Sequence, residues 1–429
     1  MSPSSQRDFR FLLAAIGVSA VGSRVTRTAL PMAAILVLGA TPLQLGWLSV
    51  LGVLPGALVA WWAGAWIDRS SRRGVMIAAD WTRALLIATI PVAALLGWLS
   101  LSQLAIVAAL VCMASVLFEI ADHAILPVVV PAPELIAANS KRETIDALAE
   151  VSGPPLGGVL VQWLTAPIAL ALDALSFVVS ALLIGRIRTK EPMPDRSLRA
   201  VPGSLLREAR EGAAMVWRHP LLRPLFLATM LLVFFMSFMA PLYTLYALQT
   251  LHLSPGLLGL VIGGVGLGAL AGAAAAPALA RRFGADPVTL TALLAGGATQ
   301  VFIPLAPADP LWGALFLVVS QLAGDGLLTI FMITETSLRQ QSVAVAALGR
   351  AAAVWKMAAS LLAPAGMLLG AGLAEAIGIR YALWSLVFGV IVASLPLVIA
   401  RRAFTQRDTA PATPRLRSTP RLGSRLGSE

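Results

Sequence analysis

From Pro224 to Ala280 the chain runs without a single Asp, Glu, Lys or Arg. A helix needs roughly 20 apolar residues to cross a hydrocarbon core of about 30 Å. At a rise of about 1.5 Å per residue this run is too long for one crossing and has to fold back on itself. The bend falls at Gln249 to Pro255, where polar residues and Pro255 interrupt the apolar pattern. Ala84 to Phe118 repeats the arrangement, with its bend at Ser100 to Gln103, while Leu45 to Ile67 and Tyr381 to Ala400 are each one charge-free span. With 58% hydrophobic and 12% charged residues overall, water-soluble globular classes are excluded, and lipid is the solvent for most of the chain.

Reading onward predicts an all-α integral membrane protein of about twelve spans. The first six are Phe11–Gly39, Leu45–Ile67, Val75–Trp98, Gln103–Val128, Ala138–Leu164 and Pro167–Arg186. The second six are Leu221–Leu248, Gly256–Ala280, Pro287–Leu305, Leu311–Thr336, Val345–Glu375 and Tyr381–Ala400. Two six-helix bundles are expected over residues 1–187 and 220–402, joined by a linker over 188–219. In that linker, Leu205 to Trp217 mixes Arg207, Glu208, Arg210 and Glu211 with Leu206, Met215 and Trp217, which suits a helix at the membrane surface. Residues 403–429 are rich in Pro, Thr, Ser and Arg, with little to bury, and are expected to form a disordered basic tail near anionic lipid.

The net charge of +11 would suit nucleic acid, yet its distribution follows the positive-inside pattern of a membrane protein. Arg69, Arg72, Arg73, Lys141, Arg142, Arg281, Arg282 and Arg339 fall in one set of loops, and Arg186 to Arg223 is richer still. The opposite loops, near Thr41, Ser100, Thr165, His252 and Asp309, carry almost no Lys or Arg, with Arg380 as the exception. Both termini are therefore expected in the cytoplasm, in a multi-pass protein of the inner (plasma) membrane. No removable signal peptide is apparent, because the first apolar segment is span length and interrupted by Arg24 and Arg27. The single Cys112 excludes an intramolecular disulfide.

Weak repeats tie the halves together. Gly64 to Arg73 after the second span has an echo in Ala280 to Gly284 after the eighth, and Gly153-Pro154-Pro155-Leu156-Gly157-Gly158 in the fifth has one in Ala363-Pro364-Ala365-Gly366 in the eleventh. Parallel six-helix repeats are one transporter plan.

Gly64-Ala65-Trp66-Ile67-Asp68-Arg69-Ser70-Ser71-Arg72-Arg73 resembles the G-x-x-x-D-R-x-x-R-R loop signature of the major facilitator superfamily. Gly64 would permit close helix approach, and Asp68 would meet the positive end of a neighbouring helix dipole. The resemblance implies that Gly64, Asp68, Arg69, Arg72 and Arg73 latch the two halves together. Gly153, Pro154, Pro155, Gly157 and Gly158 look like the family's fifth-span antiporter motif, which implies export. Arg210-Glu211-Gly212, Trp217-Arg218-His219-Pro220 and Asp173-Ala174-Leu175-Ser176-Phe177 are similar to the branch of macrolide efflux and enterobactin export permeases. That branch often has Gly-Asp in the first span, where this chain has Gly22-Ser23-Arg24, so no coupling role carries over to that position.

A charge in lipid costs roughly 2.5 to 3.5 kcal/mol on insertion scales, so intramembrane charges face a cavity or each other. Arg24 and Arg27 lie one turn apart in the first span, and Glu119, Asp122 and His123 share a face of the fourth. The expectation is that Arg24 pairs with Glu119 or Asp122, either holding a carboxylate that exchanges protons or acting as a static pair. Glu143, Asp146 and Glu150 share a face of the fifth span, and Glu150 lies deep enough to be a second coupling residue. Asp325 in the tenth span and Lys356 in the eleventh are a possible cross-helix pair, Asp325 being the better cavity group. Phe234, Phe238, Tyr243 and Phe331 are expected to line an apolar cavity, with ordinary bundle packing as the alternative.

No Walker-type loop and no metal-spaced His or Cys cluster is present in the sequence, and Gly264 to Ala269 sits inside an apolar span rather than after a strand. The expected activity is secondary active export of a small hydrophobic or amphipathic molecule (a drug, siderophore or biosynthetic product) by alternating access, with protons as the coupling ion, another cation being the alternative. No cofactor, metal, nucleic acid or second subunit is expected; the partners are the solute, protons and membrane lipid. The alternatives are a facilitator or importer on the same fold and, more distantly, a membrane-embedded enzyme or receptor.

Overall fold

A computed structural model of the chain describes residues 3–189, 191 and 204–400, and among these every regular element is helical. Eleven of the described helices are long and apolar enough to cross a membrane. The twelfth crossing is Leu135–Leu164, the fifth in order, whose first half carries Lys141, Arg142, Glu143, Asp146 and Glu150. This helix packs against both the first span, Pro3–Leu36, and the eighth, Pro255–Phe283, with Arg142 buried and Lys141 and Glu143 exposed.

The first span begins earlier than expected, at Pro3, because its polar turn is satisfied there. Ser5 Oγ donates to the Val129 carbonyl, and Asp8 accepts from the Arg188 and Thr189 amides at 2.9 and 2.8 Å. The first span therefore starts on the face where the sixth, Ala166–Gly185, ends. We call this the terminal face. Of the basic residues expected in loops on this face, Arg69 lies between helices, while Arg72, Arg73, Lys141, Arg142, Arg281, Arg282 and Arg339 lie within helices instead.

Several spans are interrupted. The second is split into Pro42–Leu51 and Leu54–Ile67 at Gly52 and Val53, ahead of Pro55, which cannot donate to the preceding turn. The seventh, Leu222–Met236 followed by Met239–Leu245, ends in a π-helical turn at Tyr246–Thr250, and the tenth widens likewise at Ser320–Asp325 between Pro310–Val319 and Gly326–Ser342. Such turns displace the backbone and often occur at functional sites.

The two bundles repeat one packing scheme, as the sequence echo implied. In the first bundle, Gly153 and Gly157 of the fifth span lie against Arg24, Val25 and Thr28 of the first. In the second, Gly366 and Gly370 of the eleventh span, Leu348–Ile377, lie against Phe234, Ser237 and Phe238 of the seventh. The small residues let backbones approach where lipid supplies no hydrophobic drive between helices. A helix over Ser204–Arg218 joins the halves and docks on the eleventh span through Gly212, which meets Arg350 and Val354, and through a 3.2 Å Glu211–Arg350 ion pair. Of the expected linker, 190 and 192–203 lie outside the described residues, as does the expected tail, 403–429.

Candidate functional site

The bundles meet most closely on the face opposite the termini. There a Cβ on Gly259 of the eighth span would sit 2.5 Å from the Pro154 carbonyl oxygen and 2.9 Å from Gly158 Cα of the fifth. Gln162 Oε1 accepts from the Gly256 amide at 2.9 Å across the same seam. The quasi-equivalent seam joins the second and eleventh spans, where Gly46 faces Ala371 and Glu375 accepts from the Leu43 amide at 3.2 Å. The run 153–158 therefore has two working faces: Gly153 and Gly157 toward the first span, and Pro154, Pro155 and Gly158 toward the other bundle.

The terminal face is held differently. Among the described residues, Asp68 is exposed and forms no hydrogen bond or ion pair, and a Cβ on Gly64 would meet nothing within 4 Å. The loop is tied instead to its own bundle. Glu191 accepts from the Arg72 and Arg73 amides at 2.7 and 2.9 Å and from Ser71 Oγ at 3.0 Å, occupying the positive N-terminus of the third span, Arg72–Leu95. Arg73 donates to the carbonyls of Ile184 and Gly185. Neither Asp68 nor Gly64 of the expected interbundle latch engages a described residue of the second bundle in this conformation.

Between the closed seam and the terminal face, the first bundle presents a charged wall. Arg24 pairs with Glu150 at 2.8 Å, not with Glu119 or Asp122. Asp122, 2% exposed, pairs with Arg142 at 2.8 Å, and Arg142 also donates to His123 Nε2 at 3.2 Å. The close approach of the first span to the fifth, over Gly153, is what diverts Arg24 from the fourth. Arg27 and Glu119 are exposed and make no ion pair among the described residues.

The second bundle presents an apolar wall. A cavity of about 580 Å³ is lined by Val265, Ala269, Leu328 and Met332, with Asp325 as its one ionisable group among the described residues. One Asp325 carboxylate oxygen is buried without a hydrogen-bond partner. The expected Asp325–Lys356 pair does not form; Lys356 is exposed and makes no ion pair among the described residues. Tyr243 is buried and accepts from Gln321 at 2.8 Å, just ahead of Asp325 in the π turn. Phe238 and Phe331, expected to line the cavity, are fully enclosed. Phe238 stacks with Phe234 and Phe235 at centroid distances of 5.9 and 5.7 Å and fills the space that Gly370 leaves, which is packing rather than lining.

Sequence reading passed over one constellation. Asp80 and Arg83 pair inside the third span, 0% and 3% exposed, and Arg83 lies 4.4 and 4.2 Å from the ring centroids of Phe118 and Phe177. Beside them Asp173, 1% exposed, accepts from Thr26 of the first span and from Ser176 at 2.8 Å. Four spans converge on this network, which explains why Gly22 has no room for a side chain: a Cβ there would collide with Asp173 and Ser176. The signal was present as an Asp and an Arg three apart in an otherwise apolar span.

The profile of the Major Facilitator Superfamily matches residues 12–341 and 225–426. The chain belongs to this family. It is 26% identical over 409 residues to the multidrug efflux pump Tap of Mycolicibacterium fortuitum, covering 92% of this chain and 97% of that protein. It is 22% identical over 360 residues to macrolide efflux protein A of Streptococcus pyogenes, covering 82% and 85%. Among solved structures it resembles the nucleoside transporter NupG, with a TM-score of 0.76 at 12% identity over 92% of this chain and 99% of that one. It also resembles a bacterial homologue of the iron transporter ferroportin in an inward-facing state, with a TM-score of 0.71 at 19% identity over 92% and 98%. At these identities the structures speak to fold alone. Family membership makes the chain a multi-pass membrane transporter rather than an enzyme.

Proposed function

We propose that this transporter exports a small amphipathic solute in exchange for protons, by alternating access, from a cavity that opens at the terminal face. In this reading the terminal face is cytoplasmic and the membrane is the inner (plasma) membrane. The observation that carries the proposal is the asymmetry of closure. Backbone-to-backbone glycine contacts shut the far face at Gly158 and Gly259, while Asp68 at the terminal face is unengaged. This is the arrangement of a carrier open to the cytoplasm, which an exporter adopts when it loads and an importer when it releases. Efflux relatives covering most of the chain support the direction.

Asp325 is the proposed proton carrier. Of the four coupling candidates, Asp122 is neutralised by Arg142, Glu150 by Arg24, and Glu119 is exposed. Asp325 alone of these combines a place in the cavity with a buried, unpartnered carboxylate oxygen. A bare carboxylate in a low-dielectric cavity is costly, and either a proton or a solute hydrogen-bond donor relieves it. Competition between the two gives exchange. One chain supplies both walls, so a monomer suffices, in contact only with solute, protons and lipid.

The test is protein-dependent efflux of a fluorescent amphipath from energised cells, with and without a protonophore, for wild type, Asp325→Asn and Asp122→Asn at matched expression. Efflux that the protonophore and Asp325→Asn both abolish is the expected result. Protonophore-insensitive efflux, or full activity in Asp325→Asn, would remove proton coupling at this residue; solute entry in place of efflux would favour the facilitator or importer.

A further inference from the structure

The first span holds a charge that the ion-pair network leaves over. Glu150 of the fifth span is bound by Arg24 at 2.8 Å. Arg27 itself makes no ion pair among the described residues, and an unpaired cation within a membrane helix is expensive and marks a pathway.

Its direction follows from what covers the rest of the helix. Arg24, Val25 and Thr28 face the fifth span, and Gly22 and Thr26 face the sixth. Between those two neighbours, Gly17, Val18, Val21 and Val25 floor an apolar groove with Leu156 and Leu172, both exposed, which is the lipid side. Arg27 lies roughly 160° around the helix from Val25 and roughly 180° from Val18. It therefore points away from lipid, toward the space between the bundles, and the first span touches the Met239–Leu245 segment of the second bundle.

We infer that Arg27 is an anion-recognition residue of the solute cavity, and that the exported amphipath carries a carboxylate or comparable oxyanion as well as an apolar body. This rests on the export reading for the identity of the cavity, and adds the substrate class. The cavity of the second bundle is apolar with a single carboxylate, Asp325, among its described lining residues, so a solute that also bears an amine would suit it, a zwitterion fitting better than a simple cation. A planar guanidinium binds a carboxylate through two parallel N–H donors, which an ammonium does not reproduce. Ordinary multidrug recognition of lipophilic cations would leave Arg27 opposed to its own cargo.

A matched pair of dyes isolates the carboxylate: rhodamine B, a zwitterion, and its ethyl ester, the same fluorophore as a cation. Binding of each to the purified full chain in lipid nanodiscs is read by fluorescence anisotropy, with no gradient present. Wild type is expected to bind rhodamine B about tenfold or more tightly than the ester, the scale of one charge-assisted hydrogen-bonded pair. Arg27→Gln should lose that factor for rhodamine B while leaving the ester within about twofold, and Arg27→Lys should fall between. Wild type binding the two dyes equally, binding neither, or losing both alike in Arg27→Gln with an unchanged size-exclusion profile would overturn the inference. Because the readout is binding, it stands or falls independently of whether transport is outward or proton-coupled.

Discussion

Substituting Gly158 by Ala should prop open the far face. The added Cβ would lie 2.9 Å from Gly259 Cα and 3.0 Å from its amide nitrogen, and closer still to the Pro255 carbonyl oxygen. The first of these separations is about 0.6 Å inside the near limit of favourable carbon–carbon approach. The neighbours are backbone atoms that cannot rotate aside, so the spans themselves have to part. Overpacking of this kind costs about 1–3 kcal/mol, borne only by the conformer with this seam closed. An intermediate cost of about 2 kcal/mol moves the equilibrium between the two facing states roughly 30-fold. Spin labels on Thr41→Cys and Ile377→Cys, in a Cys112→Ser background, flank the second seam, where the Leu43 amide meets Glu375. Double electron–electron resonance should show one short distance in the parent and a longer population once Gly158→Ala is added. A distance distribution unchanged by Gly158→Ala, in protein that folds normally, would refute the claim that this approach of the two glycines closes the far face.

Asp122→Asn should remove the nearest anion of buried Arg142, which keeps Glu143 at 3.5 Å and Asp146 at 4.0 Å, and lower stability by about 1–3 kcal/mol, read as a fall in thermal unfolding temperature in detergent; Arg142→Gln, which strands the buried Asp122, should cost about 3–5 kcal/mol, and the double substitution should cost less than the sum. Gly22→Ala should also destabilise, since its Cβ collides with Asp173 and Ser176, with protection of Thr26 and its neighbours lost in amide hydrogen exchange. Glu191→Gln should weaken the cap on the third span by about 0.3–1 kcal/mol, seen as faster exchange at the Arg72 and Arg73 amides with little change in the overall melting temperature.

Span count was legible because lipid offers the backbone no hydrogen-bond partners, so eleven crossings declare themselves as long apolar helices, while the fifth is charged through its first half. The run from Pro224 to Ala280 could only be two spans, and it is. The glycine-proline run in the fifth span was legible as close packing, since only small residues fit such contacts. Pairing was not legible. Periodicity says which residues share one face of a helix, but Arg24 could reach the fourth or the fifth span, and only the tertiary approach over Gly153 selects Glu150. Asp80 and Arg83 escaped notice because they satisfy each other within a span that still reads as apolar. Phe238 and Phe331 were misplaced for a related reason: composition gives an aromatic no preference between a cavity wall and the groove left by a facing glycine.

The central claim is that solute leaves in exchange for protons taken up through Asp325, and reconstituted vesicles test it most directly. Proteoliposomes loaded with a pH-sensitive dye, given an amphipathic substrate on the side of the terminal face, should report substrate-dependent proton movement opposite to the solute in wild type. Asp325→Asn should still exchange labelled for unlabelled substrate but move no protons. Proton flux that persists in Asp325→Asn, or solute movement in wild type without any proton flux, would contradict the account.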